Sequence, residues 1–286
     1  MVKITECPRD AMQGIKEFIP TPDKVAYLNL LLKVGFDRLD FGSFVSPKAI
    51  PQLQDTAAVL SQLNLSDSST KLLAIVANVR GAKEASAFSQ ISFLGFPFSV
   101  SETFQQRNTN TSIQQSLANV EEIITICKEF GKEPLIYLSM AFGNPYGDPW
   151  SPEIVTIYAE LLVKKGVKHL MLADTIGVST PESIHMLYQN LNKHFPHIDL
   201  GVHLHSTPQT MLAKIQAAYN SGCQRFDTAI GGYGGCPMAS DKLTGNIATE
   251  VLLSFLQERN INSQVDQTAL LKAQHYSSQI FHGRSN

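Results

Sequence analysis

Short runs of β-branched and aromatic residues alternate along this chain with longer stretches whose apolar residues return every three to four positions. The runs at residues 2–7, 38–42, 71–77, 90–96, 134–139, 169–173, 200–205 and 224–230 predict strands. The stretches between them predict helices. Residues 22–34 carry Val25, Leu28, Leu31 and Leu32 on one helical stripe. Residues 112–130 open on Ser112-Ile113-Gln114-Gln115, a capping-box pattern, and stop at Gly131. Residues 151–165 start with Ser151-Pro152-Glu153 and stop at Gly166. Thr180-Pro181-Glu182 opens a further helix, residues 207–221 end at Gly222, and residues 246–258 form the last helix of the series.

Eight such strand–helix units in about 260 residues predict an α/β fold of the (β/α)8 TIM-barrel type. An open doubly wound sheet is the main alternative. It calls for a Gly-x-Gly-x-x-Gly turn after the first strand, and Cys7-Pro8-Arg9-Asp10 stands there instead. The polar stretch 61–70 reads as a loop within one unit, so a single barrel domain is expected over residues 1–260. Residues 261–286 are expected to form a short C-terminal helical extension that frays near its end.

Composition narrows the class. With 43% hydrophobic and 17% charged residues, the chain is that of an ordinary soluble globular protein. A net charge of −2 implies no general affinity for nucleic acid or membrane surfaces. No apolar run approaches the roughly 18 residues of a membrane span, and the first residues show neither a signal-peptide nor a transit-peptide pattern. Cys7, Cys127, Cys223 and Cys236 are scattered without a Cys-x-x-Cys, which argues against a disulfide scaffold or a thiolate zinc site. A reducing, cytoplasmic location is expected.

Candidate chemistry starts from His203-Leu204-His205. Side chains at i and i+2 of a strand share a face, so these two imidazoles are aligned to bind one divalent metal. In a barrel the active site lies at the C-terminal ends of the strands. The polar residues expected there are Arg9 and Asp10, Asp40, Asn78, Asp174, the histidine pair, Cys236 and Asn246. Asp10, His203, His205 and Asn246 offer two nitrogens and two oxygens. That mixture suits Mg²⁺ or Mn²⁺, with Zn²⁺ or Co²⁺ as alternatives. Asn246 equally reads as a helix cap, and Asp10 as a turn residue. Arg9 can stabilise an enolate oxygen or pair structurally with Asp40 or Asp174. Asp174 reads as a carboxylate behind the ligands, a proton carrier or a turn residue. Gly231-Gly232-Tyr233-Gly234-Gly235-Cys236-Pro237 reads as a mobile loop over the barrel mouth, with the Cys236 thiol placed to donate a proton or act as a nucleophile.

Five segments carry a resemblance. Pro8-Arg9-Asp10-Ala11-Met12-Gln13, Ser43-Phe44-Val45-Ser46-Pro47-Lys48, Asp174-Thr175-Ile176-Gly177, His203-Leu204-His205 and the glycine loop through Pro237 resemble the 3-hydroxy-3-methylglutaryl-CoA lyase family. The resemblance extends from Val2 to about Leu256. It implies cleavage of a 3-hydroxy-3-methylglutaryl thioester to acetyl-CoA and acetoacetate, with coenzyme A entering as part of the acyl-CoA substrate. Asp10, His203, His205 and Asn246 would hold the metal, and Arg9 would stabilise the enolate. Cys236 would help protonate it, and His203 would move the hydroxyl proton, supported by Asp174. Asp40 joins this catalytic set as a carboxylate behind it. Gln13, Asn78, Lys48 and Arg107 are the expected substrate contacts, the last two for phosphates of CoA. A homodimer is the expected assembly.

The chain departs from the family pattern in four places. Asp40 replaces a Glu, Ser206 replaces an Asp, Cys7 precedes Pro8 where a Gly is usual, and Asp241-Lys242-Leu243 replaces small residues. These changes leave room for a related 3-hydroxyacyl-CoA, or a 2-oxo-acid aldolase or Claisen-type synthase on the same barrel.

Overall fold

The computed structural model describes residues 1–235 and 244–281. The chain runs β1 (Lys3–Glu6), α1 (Pro8–Gln13), α2 (Thr21–Leu31), β2 (Arg38–Ser43), α3 (Thr56–Leu60), β3 (Lys71–Ile75), α4 (Val79–Ser86), β4 (Ile91–Ser99), α5 (Glu102–Thr109) and α6 (Ile113–Phe130). It continues through β5 (Glu133–Ser139), α7 (Pro152–Lys164), β6 (His169–Asp174), α8 (Pro181–His194), β7 (Asp199–Ser206), α9 (Met211–Asn220), β8 (Arg225–Thr228), β9 (Gly245–Asn246), α10 (Thr249–Glu258) and α11 (Gln267–Phe281). Strands β1 to β8 pair in parallel with their sequence neighbours. The ring closes where Glu6 of β1 lies opposite Thr228 of β8. The predicted (β/α)8 barrel is therefore the observed fold.

Local chemistry explains the helix boundaries. The Ser112 hydroxyl accepts the Gln115 N–H, the Ser151 hydroxyl accepts the Ile154 N–H, and Thr180 and Ser183 form a reciprocal capping box. Gly131 ends α6 at φ 64°, a left-handed conformation that favours glycine.

The two ends of the barrel differ in kind. At the strand N-termini, Arg225 pairs with Asp37 at 2.7 Å and with Asp199 at 2.9 Å, and Arg38 reaches Asp199 at 3.0 Å. Arg38 also lies 3.9 Å over the Phe93 ring. This network of two buried arginines and two half-buried aspartates closes the floor. The opposite end opens into a cavity of about 400 Å³.

Two elements escaped the sequence pattern. The six-residue helix α1 begins directly at Pro8, where the pattern predicts no helix before residue 22. The two-residue β9 runs antiparallel to β7, with Asn246 opposite His205. The predicted helix at 246–258 consequently starts later, at Thr249, with Ala248 as its cap residue. Asn246 is a strand residue, not a helix cap. The last helix packs on α2 through Tyr276 and Tyr27, with ring centroids 6.4 Å apart. Its final residue, Phe281, stacks on Tyr233 at 4.4 Å. Among the described residues, no helix is long and apolar enough to cross a membrane.

Candidate active site

The strand ends bring Asp10, His203 and His205 together, with one donor atom from each within 4.8 Å of the others. Helix α1 does the first part of this. Residues three and four apart share a helix face, so Gln13 meets both Asp10 and Arg9. Its amide donates to Asp10 Oδ1 at 2.7 Å, and its Oε1 accepts from Arg9 Nη1 at 2.8 Å. Strand β7 does the second part, presenting two imidazoles whose rings lie 5.1 Å apart.

Both ring orientations are fixed from behind. His205 Nδ1 donates to the Thr175 carbonyl at 3.0 Å, and His203 Nδ1 donates to Asp227 Oδ2 at 3.2 Å. Each histidine therefore turns an Nε2 lone pair toward the cavity. Imidazoles backed by a carboxylate or a carbonyl are characteristic of metal ligands. Strand β9 adds Asn246, whose amide donates to Asp10 Oδ2 at 2.7 Å and to the Tyr233 carbonyl at 2.9 Å.

Among the described residues, His205 Nε2 and Asn246 Oδ1 are buried without a hydrogen-bond partner. A buried polar atom without a hydrogen bond costs about 1–3 kcal/mol, and a cation would satisfy both. Two imidazole nitrogens, a carboxylate and an amide oxygen form a mixed hard and borderline donor set. These residues fit a divalent cation.

Charge organises the wall beside this set. Arg9 grips Asp40 through Nε, at 3.0 Å, and Nη2, at 2.6 Å, while Nη1 reaches Asp10 Oδ1 at 3.1 Å. The pairing of Arg9 with Asp40 left open in the sequence is thus present, and the shorter Asp40 side chain spans it. A guanidinium has five N–H groups. Four are engaged by Asp40, Asp10 and Gln13, which leaves one on Nη2 for a ligand. Burial works against the charge on Arg9, but Asp40 and Asp10 outweigh it and hold its pKa above the ordinary value. Burial pushes Asp40 up to about 6 despite Arg9. Asp10 is also disfavoured by burial, yet Arg9 and the two histidines bring it below the usual carboxylate range. Burial opposes the His203 imidazolium, but the Asp227 hydrogen bond and the Asp10 charge raise its pKa. His205 shifts the other way, lowered by burial and by His203.

Other expected residues lie elsewhere. Asp174 faces away from the cavity, its Oδ2 accepting from Lys214 at 2.8 Å and from Ser179 Oγ at 2.5 Å. With that carboxylate engaged, Asp174 stands behind the site and not beside a reacting proton. Asn78 caps α4 by accepting the Gly81 N–H at 2.9 Å, and it is not among the cavity-lining residues. Lys48 is exposed and also outside the lining. Arg107 does line the cavity, at the mouth, lying 4.7 Å over the Tyr146 ring. Cys236 and residues 241–243 lie outside the described residues.

Three participants were missed in the sequence. Asp227, which orients His203, sits in β8 between Phe226 and Thr228, a fully buried strand, and no sequence signal separates it from its polar neighbours Arg225 and Thr228. Tyr137 on β5 lines the cavity edge-on to His203, with ring centroids 5.5 Å apart and a buried hydroxyl that has no partner. Lys214 is a lysine on the buried stripe of α9 with Met211, Ile215 and Ala218. Cys7, the unusual neighbour of Pro8, is buried behind His203, and burial together with Asp227 and Asp40 pushes its thiol pKa well up.

Fold and site together define a (β/α)8-barrel enzyme with the donor set for a divalent cation. The HMGL-like family model matches residues 2–276, and the chain belongs to that family. It is 33% identical over 273 residues to the cytoplasmic 3-hydroxy-3-methylglutaryl-CoA lyase of Rattus norvegicus, covering 95% of this chain and 79% of that protein. It is 34% identical over 266 residues to the 3-hydroxy-3-isohexenylglutaryl-CoA/hydroxy-methylglutaryl-CoA lyase of Pseudomonas aeruginosa, covering 93% and 88%. An HMG-CoA lyase from Acinetobacter baumannii, solved in complex with coenzyme A and 3-methylmalate, matches with a TM-score of 0.91 at 30% identity. That match covers 100% of this chain and 92% of the other.

Proposed function

We propose that this protein is a divalent-metal-dependent carbon–carbon lyase that cleaves 3-hydroxy-3-methylglutaryl-CoA to acetyl-CoA and acetoacetate. The observation that carries this reading is the convergence of Asp10, His203 and His205 at the cavity, with Asn246 bonded to Asp10 and Asp40 bonded to Arg9 from behind the lining. A cation held by Asp10, His203, His205 and Asn246, Mg²⁺ or Mn²⁺ on this donor set, would supply Lewis-acid polarisation and a template for a hydroxyl and a carboxylate oxygen.

The chain's own groups divide the remaining work. His203 presents a single nitrogen to the cavity, because Nδ1 is bonded to Asp227. Ligation uses that nitrogen, so the proton-transfer role expected of His203 conflicts with its ligand role. Asp10 would also be a ligand, but unlike His203 and His205 it has a second oxygen, and the hydroxyl proton passes to that carboxylate. As the bond between C2 and C3 breaks, its electron pair moves into the thioester enolate. The free Nη2 hydrogen of Arg9 stabilises that oxygen. The unpartnered Tyr137 hydroxyl donates to a substrate oxygen, and Cys236 returns the proton that makes acetyl-CoA. Arg107 at the mouth serves the CoA phosphates.

A related 3-hydroxyacyl-CoA is the second reading. The wall away from the donor set is apolar, built of Val45, Ile75, Pro97 and Phe104, and the Pseudomonas aeruginosa relative is named for a bulkier 3-substituent. The buried thiols of Cys7, Cys127 and Cys223 fit a reducing, cytoplasmic compartment. Acetyl-CoA release from 3-hydroxy-3-methylglutaryl-CoA, coupled to citrate synthase, tests the main reading. Release that stops with EDTA and returns with Mg²⁺ or Mn²⁺ is expected. Cleavage of pyruvate-type aldols with no release from the CoA ester would replace it.

A further inference from the structure

Lys214 is a buried cation that the proposed chemistry leaves unused. Its ammonium has three N–H groups, and each has an oxygen: Asp174 Oδ2 at 2.8 Å, the Gly177 carbonyl at 3.0 Å and the His205 carbonyl at 2.7 Å. Two of these oxygens belong to the last residue of β6 and to the turn that follows it, and the third belongs to a candidate metal ligand itself. Between Asp174 and Gly177 lies Thr175. Its carbonyl accepts the His205 ring N–H, and its hydroxyl accepts the Met140 N–H at 2.8 Å. One ammonium thus holds the main chain of His205 and also the loop that carries the acceptor for the His205 ring.

Stability alone gives a poor account of this lysine. It occupies the centre of an apolar stripe, and burying an ion pair there costs several kcal/mol per ion before the attraction is counted. A neutral, well-packed pair of similar volume in place of Asp174 and Lys214 is often no less stable. What it would lack is the capacity to gather three oxygens from two neighbouring strand ends.

We infer that Lys214 is a positioning residue for the metal site, which fixes the orientation of His205 by clamping its carbonyl to the 174–177 turn. The inference rests on the metal reading given above. It also gives Asp174 a definite place, as the counter-charge that keeps the ammonium in the core.

Mn²⁺ binding to the EDTA-stripped protein, followed by electron paramagnetic resonance, tests the inference without turnover. Lys214→Met strands the Asp174 carboxylate, so the double variant Asp174→Asn/Lys214→Met is measured beside it. Both are expected to weaken Mn²⁺ binding about 10- to 100-fold, the range for lost partners of metal ligands. Lys24→Met serves as the control. Lys24 is an equally buried lysine, paired with Asp55 at 2.7 Å and outside the cavity lining. It is expected to lower the melting temperature while leaving the Mn²⁺ dissociation constant within twofold. A folded double variant that binds Mn²⁺ as tightly as the unsubstituted protein overturns the inference. Failure of the unsubstituted protein to bind Mn²⁺ removes the metal site itself, and the inference with it.

Discussion

Arg9 shows why residue identity, and not charge alone, matters in this cavity. Its planar fork contacts Asp40 through two nitrogens while a third reaches Asp10 and Gln13. Lysine keeps the charge but is a single point donor. Arg9→Lys should therefore lower kcat about 10²- to 10³-fold, the usual loss for one oxyanion donor, with Mn²⁺ affinity changed far less. Single-turnover kinetics beside a metal titration separate the two effects. Gly234 makes the complementary point about space. It sits at φ 90°, and a Cβ there would lie 2.8 Å from Asn246 Nδ2 and 2.8 Å from the Asp10 carbonyl. Gly234→Ala should weaken metal binding by displacing Asn246 and Asp10 together. Gly131→Ala, where a Cβ meets nothing within 4 Å, should cost stability only. Equal metal affinity in both variants would count against the placement of Asn246. At this scale the ligands and Arg9 were legible in the sequence, because charged and imidazole side chains at strand ends stand out against apolar runs. Asp227 was not, because it lies within β8 and a strand-end search passes over it.

Elements were legible where local chemistry defines them and obscure where distant partners do. The starts of α6, α7 and α8 follow from Ser112, Ser151 and Thr180, each of which caps its own helix. Helix α1 has six residues and no long apolar stripe, so periodicity cannot reveal it. Strand β9 has two residues, and it is a strand only because β7 lies beside it. These two short elements carry Arg9, Asp10, Gln13 and Asn246, among them two of the four proposed metal ligands. The C-terminal helix gives an element-scale prediction. Phe281 stacks on Tyr233 at the base of the glycine loop and meets Tyr27 edge-on at 6.2 Å. Such ring pairs contribute about 0.5–1.5 kcal/mol beyond their buried area. Phe281→Ala should raise hydrogen exchange at the Gly232 and Gly234 amides up to about tenfold and reduce turnover. Phe281→Tyr should preserve both. Unchanged exchange in the alanine variant would show that α11 does not steady the loop.

For the whole molecule, barrel closure links the site to pH through Glu6. This residue ends β1 and is fully buried where β1 meets β8. It accepts from the Ile230 N–H at 2.7 Å and from Thr249 Oγ1 at 2.5 Å, one on either side of the glycine loop. Burial pushes its pKa up to about 8, more than the hydrogen bonds from Thr249 and Ile230 pull it down. In the unfolded chain the same group titrates near 4.5. Between those values the folded state keeps a proton that the unfolded state has lost. Stability therefore falls as pH rises from about 4.5 to 8, by as much as ~1.4 kcal/mol per pH unit for one proton. Glutamine has the shape of the protonated acid and does not titrate. The unfolding free energy of Glu6→Gln should gain on that of the unsubstituted protein across this window and level off above it. Asp40 and the other buried groups titrate in both chains and cancel in the difference. Urea unfolding of the two proteins at pH 5, 6, 7 and 8 measures it directly. A difference that stays constant over that range would mean that Glu6 is ionised in the closed barrel, balanced by donors beyond Ile230, Thr249 and Thr228.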